Sequence, residues 1–291
     1  MTPFELVEPQ TLGEALELLD GGAGDARIAA GCTALMLMMK ASVLKPARLI
    51  GLRRLAAGMS AIELRGAELH IGALATLAAL ERSALVAREL PVLARTLKTL
   101  ANVRVRNQAT LGGHLAHADP HMDLPPLLTA LGASVLIAGR HAERIIAVEQ
   151  LICGYMETTL NAGELITQVR IPLDGERRSA YLKVTSRSAD DWPSLGVAVA
   201  LRAANARIEG ARIVVGAALD RPTRLASAEA MLSEATVSER LLGEVAEQAA
   251  DAAQPIADQH GSAAYKQHLI RVYVGRALKQ ALGLPLYGTA A

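Results

Sequence analysis

Two short glycine-containing segments, far apart in the chain, could together bind a diphosphate group. The first is Ala30-Gly31-Cys32-Thr33 and the second is Thr110-Leu111-Gly112-Gly113-His114. Glycine lets the backbone approach phosphate oxygens closely and direct N–H groups at them, and the threonine hydroxyls add donors. Neither segment is followed by the lysine of a P-loop, which excludes that type of nucleotide site. From spacing alone, ordinary glycine turns without a ligand are the alternative.

A third group of residues, in the second half of the chain, has side chains that suit a flavin. Lys183 is followed by a segment that contains a second cation, two acids and the only tryptophan: Arg187, Asp190, Asp191 and Trp192. A lysine near the N1–C2=O edge of an isoalloxazine ring stabilises the reduced ring, and an aromatic side chain can shield it. A surface salt-bridge cluster, with Trp192 anchoring a domain contact, is the alternative.

Three histidines close to the second glycine segment offer a different chemistry. His114, His117 and His121 lie together in sequence with Asp119 and Asp123, and such a cluster could hold zinc or non-haem iron. Pro120 interrupts any helix that would place His117 and His121 on one face, and Gly112-Gly113 indicates a backbone-lined turn. A metal site is therefore the second hypothesis for this segment.

The predicted elements place the first glycine segment between a strand and a helix, an order suited to anion binding. A capping box at Thr11 and Glu14 starts a first helix, a strand follows at 27–30, and a helix follows at 34–40. Further helices are predicted at 77–82 and, as one continuous element, at 86–101. Between residues 102 and 126 the periodicity fails, which predicts a long irregular loop around the second glycine segment.

Pro172-Leu173-Asp174-Gly175-Glu176 is the clearest break in the pattern and marks the expected domain boundary. Beyond it, strands are predicted at 180–186, 195–203, 206–209 and 211–219. Helices then follow at 227–232, 238–252 and 263–282. Strands followed by helices indicate an α+β layer.

The composition excludes several classes of protein. Thirty Lys and Arg against 29 Asp and Glu leave a net charge of +1, too little for a nucleic-acid binder. No apolar run reaches the roughly 18 residues of a membrane span. The two cysteines, Cys32 and Cys153, form no paired motif, which excludes an iron–sulfur cluster or Cys-based zinc site of the chain's own. The first residues lack a signal-peptide pattern, so we expect a cytoplasmic protein.

These segments together resemble the FAD-binding medium subunit of molybdenum hydroxylases, as in aerobic carbon monoxide dehydrogenase and xanthine dehydrogenase. The family's first phosphate motif, usually Ala-Gly-Gly-Thr, resembles residues 30–33, and its second, Thr-Ile-Gly-Gly-Asn/Ser, resembles residues 110–114. Residues 115–125 resemble its Ala-His/Asn-Ala-Asp-Pro-Ala-Ala-Asp-Leu-Pro segment. Cys32, Ala34 and His114 depart from the pattern. If Cys32 requires a positive φ, its Cβ costs of order 1 kcal/mol.

The resemblance implies roles for individual residues. It assigns Asp123 to the ribityl region of FAD, and Lys183 and Trp192 to the reacting ring. It assigns no residue to a metal. The residues that it implies for cofactor binding are Ala30, Gly31, Cys32, Thr33, Ala34, Leu35, Thr110, Leu111, Gly112, Gly113, His114, Ala118, Asp119, Asp123, Lys183, Arg187, Asp191 and Trp192.

The fold that the resemblance implies is α+β, with two domains. Residues 1–173 would form a vanillyl-alcohol-oxidase-like (PCMH-type) FAD-binding domain, with subdomains of about 1–57 and 58–173. Residues 174–291 would form a smaller C-terminal domain of antiparallel sheet and helices, of the carbon monoxide dehydrogenase flavoprotein type.

The function that the resemblance implies is electron transfer through non-covalent FAD in a flavoprotein oxidoreductase. An iron–sulfur small subunit with [2Fe-2S] clusters would supply electrons, a molybdopterin large subunit would oxidise the substrate, and an external acceptor would receive the electrons. A dimer of heterotrimers is expected, without nucleic acid or a membrane span. The alternatives are a free-standing flavin oxidase or dehydrogenase of the vanillyl-alcohol type, and a metal-binding or scaffolding protein that uses the histidine cluster.

Overall fold

The computed structural model describes residues 2–21 and 25–286, and the chain divides into two compact units. The first comprises Met1–His117, Ser134–Cys153 and Glu157–Ile171, and the second comprises Ala118–Ala133, Gly154–Met156 and Pro172–Ala291. The segment Ala118–Ala133 therefore packs with the C-terminal unit, whereas the expected domain of residues 1–173 contains it.

Strands and helices alternate from β1 to β4, and six consecutive helices, α4 to α9, follow β5. The strands are β1 (Glu5–Val7), β2 (Ala26–Ala29), β3 (Arg48–Gly51), β4 (Ile62–Arg65), β5 (Glu68–Gly72), β6 (Ser134–Ala138), β7 (Glu143–Ala147), β8 (Ile152–Gly154), β9 (Glu157–Thr158), β10 (Leu165–Pro172), β11 (Arg178–Val184), β12 (Leu195–Ala204), β13 (Arg207–Gly216) and β14 (Thr223–Arg224). The helices are α1 (Leu12–Asp20), α2 (Leu35–Lys40), α3 (Ala56–Met59), α4 (Leu77–Arg82), α5 (Ala84–Glu89), α6 (Pro91–Lys98), α7 (Val103–Gln108), α8 (Leu111–His117), α9 (Leu124–Ala130), α10 (Val148–Leu151), α11 (Ala226–Leu232), α12 (Glu239–Ala252) and α13 (Ala263–Leu282), with a 3-10 turn at Arg53–Leu55.

The first unit contains a small parallel sheet in the order β1-β3-β2. Helix α1 precedes β2 and is capped by Thr11, whose Oγ1 accepts a hydrogen bond from the N–H of Glu14 at 3.2 Å. The Glu14 carboxylate in turn accepts from the N–H of Gln10 at 2.7 Å. The predicted cap is present, and helix α1 buries Ala15 against Ile50 in the core of this sheet.

A five-stranded sheet in the order β4-β5-β10-β6-β7 forms the rest of the first unit's framework. Strands β4 and β5 form an antiparallel hairpin, with Gly66 at φ 59° in its turn. The prediction of one helix over 86–101 is wrong. Pro91 begins a new helix, α6, because proline has no N–H and fits the first turn of a helix but not its interior.

The predicted irregular loop over residues 102–126 is also wrong, because three short helices occupy it. Asn102 caps α7 by accepting from the N–H groups of Arg104 and Val105. Pro125 and Pro126 lie in the first turn of α9, where proline is tolerated. Helices of six or seven residues contain fewer than two turns, so they carry too little periodicity to be recognised.

The second unit contains an antiparallel sheet in the order β11-β12-β13-β14. The two strands predicted at 206–209 and 211–219 are one strand, β13, since its pairing with β12 absorbs a register shift next to Arg202. Asn205 and Ala206 both have positive φ in the hairpin turn between β12 and β13. The α+β organisation predicted from the order of elements is confirmed.

Helices α11, α12 and α13 pack against this sheet and form one apolar core with it. Ser262 caps α13 by accepting from the N–H of Tyr265, and Gly283 ends it at φ 72°. Within residues 2–21 and 25–286, the helices are too short or too polar to cross a membrane.

Candidate functional site

The first glycine segment connects β2 to α2 in the first unit. Cys32 adopts φ 57°, the left-handed conformation that the sequence analysis considered for this position. Its carbonyl accepts from the N–H of Met36 at 3.1 Å and so begins the turn that leads into α2. Ala34 stands at the N-cap and contributes no side-chain cap. The first N–H groups of a helix carry partial positive charge, so this end of the segment is compatible with an anion.

The second glycine segment forms the start of α8, also in the first unit. The N–H groups of Leu111 and Gly112 donate to the carbonyls of Ala75 and Ala73, at 2.9 and 2.8 Å. A Cβ at Gly112 would lie 2.6 Å from the Cβ of Ala73. Glycine at 112 therefore permits close packing on the backbone after β5. We expected successive N–H groups of this segment to point at phosphate, but the N–H groups of Leu111 and Gly112 donate to backbone carbonyls of the protein.

Thr110 and Gly113 complete the second segment. The Oγ1 of Thr110 accepts from the N–H of Gly113 at 3.2 Å, and its carbonyl accepts from the N–H of His114 at 2.8 Å. Thr110 thus acts as the cap of α8 as well as a candidate hydroxyl donor. His114 is buried and lies in the same helix.

The two glycine segments lie against each other. A Cβ at Gly31 would be 2.0 Å from the carbonyl oxygen of Gln108 and 2.8 Å from the Cα of Ala109. A Cβ at Gly113 would be 4.0 Å from the Cβ of Ala30. Only glycine fits at position 31, because any side chain there would enter the backbone that leads into the second segment. The two segments therefore lie side by side in the first unit.

The chemistry of the paired segments fits a pyrophosphate. Neither residues 30–35 nor residues 110–114 contain an acidic side chain that would repel phosphate. Thr33 and Thr110 bring hydroxyl groups, and Gly113 is exposed, so its backbone has no side chain that would keep a phosphate away. Ala34 and Leu35 complete the first segment at the start of α2 and are half-buried.

In the second unit, Asp123 and Lys183 form a buried ion pair. Lys183 Nζ donates to Asp123 Oδ2 at 3.0 Å, and Tyr181 Oη donates to Asp123 Oδ1 at 2.8 Å. Burial raises the pKa of Asp123, and the charge of Lys183 and the hydrogen bond from Tyr181 oppose that rise. The pKa of Tyr181 lies well above its usual value because the hydroxyl is buried beside this carboxylate.

Strand β11 explains this geometry, since Tyr181 and Lys183 are two residues apart and project to the same face of the strand. Tyr181 was not among the expected site residues. Its spacing of two residues from Lys183 along a predicted strand is the signal that would have identified it.

A second polar network in the same unit surrounds His121. Its Nδ1 lies 3.2 Å from Asp119 Oδ1, and its Nε2 lies 3.0 Å from Asp258 Oδ2. Asp258 also accepts from Lys266 Nζ at 2.7 Å, and Lys266 is completely buried. Burial alone would raise the pKa of Asp258, but the hydrogen bonds from Lys266 and His121 lower it to about 2.

The remaining expected site residues lie in or near the connection from β11 to β12. Trp192 is 46% exposed, and its backbone N–H donates to Oδ1 of the neighbouring Asp191 at 2.9 Å. Arg187 and Asp190 are exposed in the same loop. Ala118, by contrast, is fully buried with φ 52°, directly after α8.

The histidine cluster does not form a metal site in the part of the chain that the structure describes. There, no group of three or more His, Cys, Asp and Glu side chains is arranged so that it could hold a metal ion. His114 and His117 lie in α8, and the ring nitrogens of His121 face Asp119 and Asp258.

Comparison with family models gives two matches that cover most of the chain. Residues 2–174 match the model described as the FAD binding domain in molybdopterin dehydrogenase. Residues 180–281 match the carbon monoxide dehydrogenase flavoprotein C-terminal domain.

Individual proteins agree with these matches. The chain is 28% identical to the glyceraldehyde dehydrogenase medium chain of Sulfolobus acidocaldarius, over 95% of this chain and 98% of that one. It is 32% identical to the nicotine 6-hydroxylase medium subunit of Paenarthrobacter nicotinovorans, over 94% and 95% of the two chains. A structure of carbon monoxide dehydrogenase from Hydrogenophaga pseudoflava superposes with a TM-score of 0.93 at 31% identity, over 97% of this chain and 99% of that one.

Proposed function

This chain belongs to the family of FAD-binding medium subunits of molybdenum hydroxylases, and we propose that it carries electrons from iron–sulfur clusters of a partner subunit to an external acceptor. FAD supplies the chemistry for this role, because it accepts electrons singly and releases them in pairs. Membership confirms the resemblance recognised in the sequence and identifies the chain as an oxidoreductase subunit with an FAD-binding domain.

The contact between the two glycine segments is the observation that carries the proposal. Gly31 packs on the backbone of Gln108 and Ala109, so the turn after β2 and the start of α8 form one surface without acidic side chains. We assign this surface to the diphosphate of FAD. Thr33 and Thr110 would donate hydroxyl hydrogen bonds to it, and Ala30 and Gly113 would allow its close approach.

The buried pair of Asp123 and Lys183 is assigned to the flavin end of the cofactor. Asp123 fixes the Lys183 ammonium group, and a fixed positive charge stabilises the negative charge that a flavin acquires on reduction. The Asp123 carboxylate can also accept hydrogen bonds from ribityl hydroxyl groups. Trp192, half exposed in the loop after β11, is assigned to shielding the ring from water.

Partner subunits are part of this proposal. The relatives include a dehydrogenase complex subunit and a hydroxylase medium subunit, both from Paenarthrobacter nicotinovorans. We propose an iron–sulfur small subunit with [2Fe-2S] clusters and a molybdopterin large subunit, assembled as a dimer of heterotrimers. A cytoplasmic location is proposed with them, and it agrees with two cysteines that form no disulfide.

Purification of the tagged full-length chain from its native host tests the assembly. We expect molybdenum, iron and acid-labile sulfide in a fixed ratio to FAD, at a mass larger than that of the single chain. The control is the same chain produced alone, which should contain FAD but neither metal. A chain from the native host that is monomeric and free of both metals would contradict the proposed assembly.

The same two preparations distinguish the proposed subunit from the alternative, a free-standing flavin oxidase. Stopped-flow absorbance follows flavin bleaching when a panel of aldehydes and N-heterocycles is added under anaerobic conditions. We expect bleaching only in the assembled preparation, since substrate oxidation would belong to the molybdopterin subunit. Bleaching in the chain produced alone would favour a flavin oxidase or dehydrogenase that acts by itself.

A further inference from the structure

The imidazole ring of His121 is held at both of its nitrogens by carboxylates. Nδ1 lies 3.2 Å from Asp119 Oδ1, and Nε2 lies 3.0 Å from Asp258 Oδ2. A neutral imidazole donates from one nitrogen only, whereas the imidazolium ion donates from both. The geometry around His121 therefore fits the protonated ring, which is mostly buried at 13% exposure.

Both carboxylates are themselves fixed. Asp119 Oδ1 accepts from the backbone N–H of His121 at 2.8 Å. Asp258 accepts from the buried ammonium group of Lys266 at 2.7 Å and from the N–H of His260 at 2.8 Å. Because neither carboxylate can turn away without losing these bonds, the two of them fix the plane of the His121 ring.

The fixed ring of His121 packs against Trp192. The ring centroids are 5.8 Å apart and the planes meet at 68°, the edge-to-face arrangement that aromatic pairs prefer. Trp192 belongs to the loop between β11 and β12 and has 46% of its surface exposed. The His121 contact is therefore well placed to orient it.

We propose that His121 is a positioning residue for Trp192: as an imidazolium held by Asp119 and Asp258, it fixes the orientation of the indole, and deprotonation releases that orientation. The effect of this orientation on a bound flavin rests on the proposed function. The contact between His121 and Trp192 does not. In a cofactor-containing subunit, the degree to which Trp192 covers the ring would then depend on pH.

The charged groups around His121 determine the sign of the pH dependence. Asp119 faces it from its own segment, Asp258 and His260 face it from the segment before α13, and Lys266 of α13 stands behind Asp258. Arg187, Asp190 and Asp191 lie in the loop of Trp192. Burial acts to lower the pKa of His121, but the two carboxylates outweigh burial and raise it. The indole should be fixed below this raised pKa and released above it.

The single tryptophan makes the test specific, because all indole emission comes from Trp192. Emission and anisotropy decay of the purified full-length chain are measured from about pH 5 to 9. An imidazolium in contact with an indole quenches its emission more than a neutral imidazole does. We expect emission to rise with a midpoint above about 6.5, the ordinary pKa of histidine, and local indole motion to increase across the same midpoint.

Three variants identify the group responsible. His121→Gln should lose the step and show the mobile indole at every pH, whereas His268→Gln, an exposed position on α13, should keep the wild-type step. Asp119→Asn keeps the imidazole and should lower the midpoint by about one pH unit, since it removes one of the two charges. Asp119→Asn keeps the inference testable if His121→Gln does not fold, as judged by circular dichroism.

A flat emission profile in the wild-type chain would overturn the inference. So would a step that persists in His121→Gln, or a midpoint that Asp119→Asn leaves unchanged. The same samples, titrated with FAD, separate this inference from the proposed function. FAD should quench Trp192 if the indole borders the flavin. A pH step without quenching by FAD supports the role of His121 and counts only against the flavin contact.

Discussion

Cys32 is the single residue at which the backbone of the first glycine segment stores strain. Its φ of 57° lies in the left-handed region, where a Cβ costs roughly 1–2 kcal/mol and glycine has no such penalty. We expect Cys32→Gly to raise the free energy of unfolding by about 1 kcal/mol, even though glycine increases the entropy of the unfolded chain. Urea unfolding, at an unchanged m-value, measures this difference.

Cys32→Ala is the matched control, because it removes the thiol and keeps the Cβ. The Sγ atom lies 3.6 Å from the carbonyl of Ala30, too weak a contact to decide stability. We expect Cys32→Ala to stay within about 0.5 kcal/mol of wild type. If Cys32→Ala raised the free energy of unfolding as much as Cys32→Gly does, the stabilisation would come from removing the thiol and not from relieving backbone strain.

Asp123 is the second residue whose replacement has a defined outcome. Asp123→Asn removes the anion that the buried ammonium group of Lys183 bonds to, and breaking a buried pair from one side costs about 3–5 kcal/mol. Tyr181→Phe removes only one hydrogen bond to the same carboxylate and should cost about 1 kcal/mol. Chemical denaturation compares the two. Equal losses would mean that the charge pair contributes no more than the hydroxyl.

At the scale of elements, Asp258 links the first turns of α13 to the segment that precedes this helix. Its carboxylate accepts from Lys266, which is completely buried and also donates to the carbonyl of Ala217. Asp258→Asn should cost about 3 kcal/mol or more near neutral pH, since it leaves a buried ammonium group without its counterion. Glu239→Gln, which removes the partner of Lys279 farther along α13, is the control and should cost less than about 1 kcal/mol.

The pH dependence of this pair follows from the lowered pKa of Asp258. A carboxyl group whose folded pKa is about 2 stabilises the fold above its unfolded pKa, near 4, and loses that contribution as the pH falls toward 2. The difference between wild type and Asp258→Asn should therefore shrink over this window. A difference that stays constant from pH 5 to about 2 would contradict the ion-pair account.

The elements that could be predicted are those whose ends are marked by capping residues in the local sequence. Helices α4 and α13 match their predicted bounds, since Thr76 and Ser262 cap their starts, and Gly283 ends α13 in the left-handed conformation. Helices α7, α8 and α9 were missed, because each is under two turns long, and because α8 also contains two glycines and α9 two prolines. Gly112 of α8, for example, allows close packing on Ala73, a contact that the local sequence does not indicate.

The candidate site shows the same division between local and distant information. The two glycine segments were recognisable because each motif is contiguous. Two other pairings could not be recognised from the sequence, because their partners lie far apart in the chain. Asp123 and Lys183 are 60 positions apart, and His121 and Asp258 are 137 positions apart. Only the folded backbone brings such side chains together, and a single sequence carries no local signal for it.

At the scale of the whole molecule, the proposed function requires both glycine segments to bind the diphosphate of one FAD. Gly113→Ala places a methyl group 2.9 Å from Thr110 Oγ1 and 4.0 Å from the Cβ of Ala30, at the contact of the segments. Gly58→Ala is its control, because its Cβ would meet nothing within 4 Å. Neither change should prevent folding, so both variants report on the cofactor.

Fluorescence titration of the full-length chain with FAD is the most direct measurement. We expect one FAD for each wild-type chain, released by acid without a covalent link. We expect an affinity at least about tenfold weaker in Gly113→Ala, or about 1.4 kcal/mol, and unchanged in Gly58→Ala. A colourless wild-type chain that ignores added FAD, or a Gly113→Ala variant that binds it as tightly as wild type, would contradict the proposed site.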